Sequence, residues 1–295
     1  MLKHYFLSLF FFLAISFQAV AGWVITEQST NKYGQKTFQT TFIQGNYIRL
    51  DAPTLVSIFN LKEKKIVLLF PQDKAYWEGN PTELQQQFRN MMAKQVQLMM
   101  THAPDTQKDT LQKIYNGLIA HPVNSDSIKS PEINVVQTGQ KATMLGHPVQ
   151  LYNVKMDSVL LEKIWVTLQL KPYAGLPMEE TLRLTNAINP FSGNGPVPIS
   201  KDYINLLKNG VVLKRISYGS GKNPNVSTVT EIREAKIIET IFEIPANYQP
   251  MNIEQVMQLD LGRNILNPVL PGKEQRINLS PPPPFKVNQK QPRQP

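Results

Sequence analysis

The chain has 295 residues, a formal net charge of +9 and no cysteine. Its length is sufficient for one or two domains, each with a hydrophobic core. The lack of cysteine excludes disulfides, thiol nucleophiles and cysteine metal sites. The basic excess is concentrated at the C-terminal end, where residues 273–295 contain five basic residues and one acidic residue. Because no basic helix or aromatic-interleaved basic stripe accompanies it, we expect no nucleic-acid partner.

The first residues predict export. Residues 1–4 form a short basic start, residues 5–17 an apolar core, and Ala19 and Ala21 a small-residue cleavage site. The apolar run is shorter than the roughly 20 residues that a bilayer-spanning helix requires. We therefore expect a signal peptide over residues 1–21 with cleavage after Ala21. The mature protein would be periplasmic or secreted, without a transmembrane segment.

Residues 37–77 predict an antiparallel meander with one apolar face. Apolar residues recur at even spacing with polar residues between them, which is the period of a half-buried strand. These apolar positions are Phe38, Phe42, Ile48 and Leu50. Gly45 and Asn46 predict a tight turn or bulge, and a charged block over residues 62–65 separates two further apolar runs. The apolar face of such a sheet must be covered by other parts of the protein.

Residues 80–121 predict a helical insert. Asn80 can cap a helix, Pro81 suits its first position, and Glu83 stands three residues after the cap. Apolar spacing predicts one helix to about residue 100 and a second over residues 105–121. Methionines at 91, 92, 99 and 100 are typical of core packing, and also of a lid that adapts to variable acyl chains.

The rest of the chain predicts more strands, a few short helices and a terminal tail. Strands are expected over residues 23–27, 143–156, 164–170, 211–218, 226–233 and 237–244, and short helices over 179–188, 203–208 and 253–259. Proline and loss of apolar content predict disorder over residues 272–295. This basic tail is either a solvated end or a weak attachment to an anionic envelope component.

Patterns for catalysis or metal binding are weak throughout the sequence. His102, His121 and His147 do not have metal-ligand spacing. Residues 219–222 resemble a phosphate loop but stand in a predicted hairpin turn. With no acid–base pair identified, we expect neither an enzyme nor a cofactor.

Six segments stand in a fixed order along the chain, at residues 43–51, 57–66, 76–79, 143–152, 207–213 and 238–248. Together they resemble the LolA/LolB-like superfamily, and most closely a family of exported bacterial proteins of that fold with no assigned function. The resemblance implies an α+β fold, mainly antiparallel, with an unclosed half-barrel covered by helices. It implies a domain over residues 22–250 with an insert over 80–121, a C-terminal extension over 251–271, and the disordered tail.

The same resemblance implies a lipid or a lipoprotein acyl chain held in the concave face, because an open sheet with an amphipathic cover makes an apolar site. The expected lining residues are Phe42, Ile48, Ile58, Leu68, Trp77, Phe88, Met92 and Val166. Arg49 is expected at the mouth, where carriers of this fold tie the sheet to its lid. The other reading is an outward-facing strand arginine, because Arg49 alternates with the apolar residues. The alternative function is a non-enzymatic envelope scaffold that uses a packed half-barrel and the basic tail.

Overall fold

The computed structural model describes residues 22–31, 33–120, 133–188, 199–218 and 224–255, all within one compact unit. These residues form twelve strands, four α-helices and a short 3₁₀ turn, so the predicted α+β class with mainly antiparallel strands is confirmed. The expected signal peptide over residues 1–21 and the tail over 272–295 lie outside the described residues. So does most of the helix expected over 253–259.

The elements follow one another as a long meander, a helical hairpin and a second group of strands. The strands are β1 (Gly22–Thr30), β2 (Lys36–Gln44), β3 (Tyr47–Asp51), β4 (Val56–Asn60), β5 (Lys65–Phe70), β6 (Ala75–Gly79), β7 (Ile133–Met144), β8 (His147–Met156), β9 (Val159–Thr167), β10 (Val211–Ser217), β11 (Asn225–Ala235) and β12 (Gln249–Pro250). The helices are α1 (Pro81–His102), α2 (Asp105–Ala120), α3 (Met178–Ala187) and α4 (Lys201–Asn209).

All twelve strands belong to one sheet in the order β12-β6-β5-β4-β3-β2-β1-β11-β10-β9-β8-β7. Every neighbouring pair is antiparallel except β12 and β6, which run parallel. Within the described residues β12 and β7 are the two edges, so the sheet is not closed. The β1–β11 pairing joins the N-terminal meander to the later strands.

Strand register decides which side chains share a face. Gln44 pairs with Tyr47 across the two-residue turn, so Ile48 lies opposite Ile43 and Arg49 lies opposite Phe42. The inner face is defined as the one that holds the main hydrophobic cluster, including Ile43, Ile48, Phe59, Ile66, Leu68 and Trp77. The outer face carries the cross-strand row Phe42, Arg49, Ile58, Val67 and Glu78.

Two sequence predictions about the meander are therefore wrong. Phe42 does not share a face with Ile48, because this turn pairs even-numbered residues of β2 with odd-numbered residues of β3. The meander also has apolar side chains on both faces. In β5, residues 66, 68 and 70 belong to the inner cluster, while Val67 and Leu69 belong to a second cluster on the outer face. A continuous apolar run is typical of a strand buried on both sides.

Helices α3 and α4 supply most of the helical cover of the inner face. Leu182 and Leu184 of α3 and Tyr203 and Leu207 of α4 join the main cluster. Of the α1 residues, Leu84 joins it, in the first turn. The short helices predicted over 179–188 and 203–208 are thus confirmed, and they contribute more to the cover than the long insert does.

The start of α1 has the predicted capping box. The Asn80 Oδ1 accepts a hydrogen bond from the Glu83 amide at 2.9 Å, and the Glu83 Oε2 accepts one from the Asn80 amide at 3.1 Å. The Trp77 indole Nε1–H donates to Gln87 Oε1 at 3.2 Å. These bonds fix the first turns of α1 to β6 and to the inner face.

Residues 236–255, which we call the C-terminal strap, cross the outer face. Phe242, Ile244 and Tyr248 pack against the outer cluster of β4 and β5. The strap then pairs with the β6 edge, and Ile253 joins the main cluster on the inner face. The prediction of a strand over 237–244 is wrong. These residues lie flat on the sheet, with a 3₁₀ turn at Glu239–Phe242, because their apolar side chains cover β4 and β5.

Gly210, between α4 and β10, is expected to be intolerant of a side chain. A Cβ atom there would press on the Thr167 carbonyl oxygen and lie 2.9 Å from the Leu168 side chain. We expect Gly210→Ala to lower the free energy of unfolding by about 1–3 kcal/mol, measured by urea denaturation. Gly117→Ala is the control, because a Cβ within α2 meets nothing within 4 Å. It should raise stability by about 0.5–1 kcal/mol; equal losses in both variants would contradict the steric explanation.

Candidate functional site

The predicted lining residues divide into three groups. Ile48, Leu68, Trp77 and Val166 lie together in the main cluster on the inner face, and each is at most 4% exposed. They belong to one packed cluster with other side chains of this chain, including residues of α3 and α4. The structure therefore brings half of the predicted set together, in a region filled by the protein's own residues.

Phe42 and Ile58 lie on the outer face. Ile58 belongs to the outer cluster, and Phe42 occupies the same cross-strand row. The expectation that they share a surface with Ile48 is wrong, because the connections on both sides of β3 pair even-numbered residues of one strand with odd-numbered residues of the next. Neither side chain faces α3 or α4, which lie on the other side of the sheet.

Arg49 stands in this outer row. Its Nε and Nη2 donate to the two Asp51 carboxylate oxygens at 2.5 and 3.1 Å, and Nη1 donates to the Ile241 carbonyl oxygen. The Tyr47 and Phe242 rings meet alongside, with centroids 5.4 Å apart. Arg49 therefore attaches the sheet to the C-terminal strap rather than to the helices. This placement matches the outward-facing alternative for Arg49.

Phe88 and Met92 are half-buried on α1. Phe88 lines a cleft of about 180 Å³ at the base of the α1–α2 hairpin, where α1, α2 and α3 meet. The other lining residues are Gln85, Arg89, Leu118, Asn186 and Ala187. Most of the exposed surface of the cleft is apolar, and its lining also includes two amides and one guanidinium.

A polar cluster on the inner face was missed by the sequence analysis. We define it as Glu27, Glu162, Tyr173, Tyr203, Arg215 and Ser217, together with Ser29 and Ser227. Arg215 Nη2 donates to the Tyr203 hydroxyl at 3.1 Å, and Arg215 Nε lies 3.8 Å from the Glu162 carboxylate. The Ser217 and Tyr203 hydroxyls also donate to Glu162, at 3.3 and 3.4 Å. Four strands (β1, β9, β10 and β11), helix α4 and the loop that carries Tyr173 converge here, so no local spacing in the sequence reveals the cluster.

Burial and neighbouring charges shift the pKa values of Tyr173, Tyr203 and Arg215 in this cluster. Burial, together with the negative charge of Glu27, raises the pKa of Tyr173 to about 12, and the positive charge of Arg215 opposes this shift. Burial likewise raises the pKa of Tyr203, which Arg215 lowers and Glu162 raises. The Glu162 carboxylate is the main cause of a raised Arg215 pKa. At neutral pH both tyrosines are therefore neutral hydrogen-bonding groups, and Arg215 is charged.

No protein-family model matches this chain, and no curated protein matches it. Among solved structures, "Structure of PNGF-II in C2 space group" is 12% identical with a TM-score of 0.37 and covers 81% of this chain. "Structure of PNGF-II in P21 space group" is also 12% identical, with a TM-score of 0.36 and 82% coverage. The chain spans about a third of the length of these structures, 32% and 33%. Similarity at this level assigns neither a fold nor an activity.

Arg49 is expected to hold the strap in place. We expect Arg49→Lys to lower the free energy of unfolding by about 1–2 kcal/mol, because a lysine lacks the planar fork that binds Asp51 and the Ile241 carbonyl together. Limited proteolysis should cut residues 236–255 faster in this variant. Arg233→Lys, at an exposed pair with Glu231, is the control and should change stability by less than about 0.5 kcal/mol. Unchanged protection of the strap in Arg49→Lys would refute the assignment.

Alkaline pH is expected to destabilise the fold through Tyr173. Its folded-state pKa of about 12 lies above the ordinary value of 10.0, so its contribution to stability is complete below pH 10 and is lost as the pH rises towards 12. Tyr173→Phe should therefore show a shallower loss of unfolding free energy over that range. Urea denaturation at pH 9, 10, 11 and 12 measures the slope. Parallel curves for the two proteins would contradict this assignment.

Proposed function

We propose that this protein is a non-catalytic binding protein of the bacterial envelope, with a LolA-like half-barrel that receives a lipid or a lipoprotein acyl chain. The observation that supports the proposal is the apolar cleft at the base of the α1–α2 hairpin, lined by Phe88 and Leu118. The ligand would enter where the hairpin leaves the core. In this proposal the site lies beside the inner face and not within its packed centre.

The hairpin carries large apolar side chains that are exposed. They are Leu98 and Met99 on α1, and Ile114 and Ile119 on α2. Exposed apolar side chains of this kind are available to contact a ligand or a partner. An acyl chain seated in the cleft and running along the hairpin would cover part of this surface, and the methionines of α1 would adapt to its shape.

Ligand entry requires the hairpin to move. A cavity near 150 Å³ holds about one benzene-sized molecule, and drug-sized ligands occupy about 300–1,000 Å³. The cleft of about 180 Å³ therefore accepts one end of an acyl chain as it stands. Beyond its first turns, α1 is linked to the strap by an exposed Lys94–Glu254 ion pair, and such pairs contribute at most about 1 kcal/mol.

The second candidate function is the non-enzymatic envelope scaffold. Its support is the filled inner face, where Ile66, Leu68 and Ile164 are 0% exposed. In this version the half-barrel is a rigid body, and the exposed hairpin side chains or the basic tail contact a partner. Both candidates assume export, and the signal peptide behind that assumption remains a prediction. Among the helices that the structure describes, none has the length and hydropathy needed to span a membrane.

Lipid content separates the two candidates. The mature protein, purified from its native envelope, is extracted with organic solvent, and the extract is analysed by mass spectrometry. Lipid at a molar ratio near one supports the ligand-binding protein. A lipid-free extract, together with capture of an envelope component that requires residues 272–295, would replace it with the scaffold.

Filling the cleft is expected to abolish acyl-chain binding. Leu118→Trp enlarges a lining side chain, and we expect affinity for a pyrene-labelled fatty acid to fall by about tenfold or more, equivalent to about 1.4 kcal/mol. Fluorescence titration of the delipidated protein measures it. The control is Gln112→Trp, at an exposed position of the same helix that does not line the cleft. Equal affinity in the two variants would exclude the cleft as the binding site.

A further inference from the structure

The later strands carry lysines on the outer face of the sheet. Arg215 of β10 pairs with Ile164 of β9, and Ile164 belongs to the main cluster on the inner face. Because successive side chains of a strand point to opposite faces, the adjacent residues Lys214 and Lys163 lie on the outer face. The outer cluster beneath the strap contains residues of β4, β5 and β6 and, among the described residues, none of β7 to β11. The apolar cover of the outer face therefore does not extend to these lysines.

Two cross-strand rows define this surface, which we call the lysine face. One row runs from β2 to β8 and contains Lys214. The other row runs from β2 to β7, begins at Lys36 and contains Lys163. Neither row contains an acidic residue. Since neighbouring strands lie about 4.8 Å apart, the longer row spans roughly 30 Å along the sheet.

The positive charge of the lysine face is not neutralised by neighbouring carboxylates. Within the part of the chain that the structure describes, Lys36, Lys163 and Lys214 form no ion pair. The Glu231 carboxylate, on the adjoining part of β11, is paired with Arg233. The lysine face therefore has a surplus of positive charge that is available to a negatively charged partner.

Apolar side chains stand in the same two rows as the lysines. Phe38, at the β2 end of one row, and Val136, at the β7 end of the other, are each 47% exposed. Trp165 and Ile216 are half-buried, and each lies beside the lysine of its own row. Basic and apolar groups on one surface are typical of proteins that bind at a membrane interface, where apolar side chains insert below the charged headgroups.

We propose that the lysine face is a docking surface for a membrane that contains anionic lipids. The negative potential of such a membrane attracts each lysine, and the exposed apolar side chains add contact with the boundary of the acyl chains. A soluble anionic polymer would engage the lysines but would gain less from Phe38 and Val136. The proposal does not rest on acyl-chain binding, because the lysine face and the cleft share no residue.

Co-sedimentation of the mature protein with lipid vesicles tests the proposal. Vesicles with equal amounts of phosphatidylglycerol and phosphatidylcholine are compared with vesicles of phosphatidylcholine alone. We expect saturable binding to the anionic vesicles, weaker at higher salt, and binding to the neutral vesicles that is weaker by about tenfold or more. Dextran sulfate is the soluble polyanion. Equal binding to both kinds of vesicle, or binding to dextran sulfate without binding to the anionic vesicles, would overturn the proposal.

Substitutions then locate the docking surface. The double variant Lys163→Gln, Lys214→Gln should bind anionic vesicles about 25-fold more weakly, because each lost lysine charge reduces binding by about fivefold. The double variant Lys163→Arg, Lys214→Arg keeps both charges and should stay within about twofold of the natural protein.

The matched control removes two charges from exposed positions elsewhere. The double variant Lys62→Gln, Lys113→Gln changes the β4–β5 turn and α2, and its binding should stay within about twofold of the natural protein. Residues 272–295 are present in every variant, so their contribution to vesicle binding is constant. Equal binding by the Lys163–Lys214 glutamine variant and this control would assign vesicle binding to another part of the chain and overturn the proposal.

Discussion

Burial of β4 and β5 on both faces is the constraint on which the rest of the structure depends. Four consecutive residues of β4 and five of β5 are buried, and successive side chains of a strand point to opposite faces. One cover is therefore insufficient. Helices α3 and α4 close the inner face, and the C-terminal strap closes the outer face. Arg49 contributes to the second cover because its guanidinium connects β3 to the strap.

The double cover explains why the helical hairpin is left partly uncovered. Since α3 and α4 already fill the inner face, α1 reaches the main cluster through its first turn, at Leu84. The rest of the hairpin packs α1 against α2 and extends from the core with apolar residues exposed. A surface of this kind suits a ligand or partner that is acquired after folding. The cleft between α1, α2 and α3 is the boundary between the filled core and this exposed region.

The inner face has an apolar part and a polar part. Beneath α3 it is apolar, whereas beneath Tyr203 and Tyr173 it carries the polar cluster. Buried charges are tolerated when they are paired and hydrogen-bonded, as Glu162 and Arg215 are. Glu27, in the same cluster, accepts hydrogen bonds from the Ser29 and Ser227 hydroxyls, and its negative charge contributes to the raised pKa of Arg215. A single sheet face thus combines structural packing with a chemically specific patch.

The sequence was sufficient for the local features of this protein. Periodicity, the Asn80 capping box and the turn at Gly45 predicted most strands, the start of α1 and the α+β class, because each depends on neighbouring residues alone. Face assignments failed at Phe42 and Ile58, and the strap was mistaken for a strand, because register and packing across the sheet involve residues far apart in the chain. The Glu27–Glu162–Arg215 cluster and the Phe88 cleft were decided by tertiary structure, since their members come from separate elements and meet only when the sheet is assembled and covered.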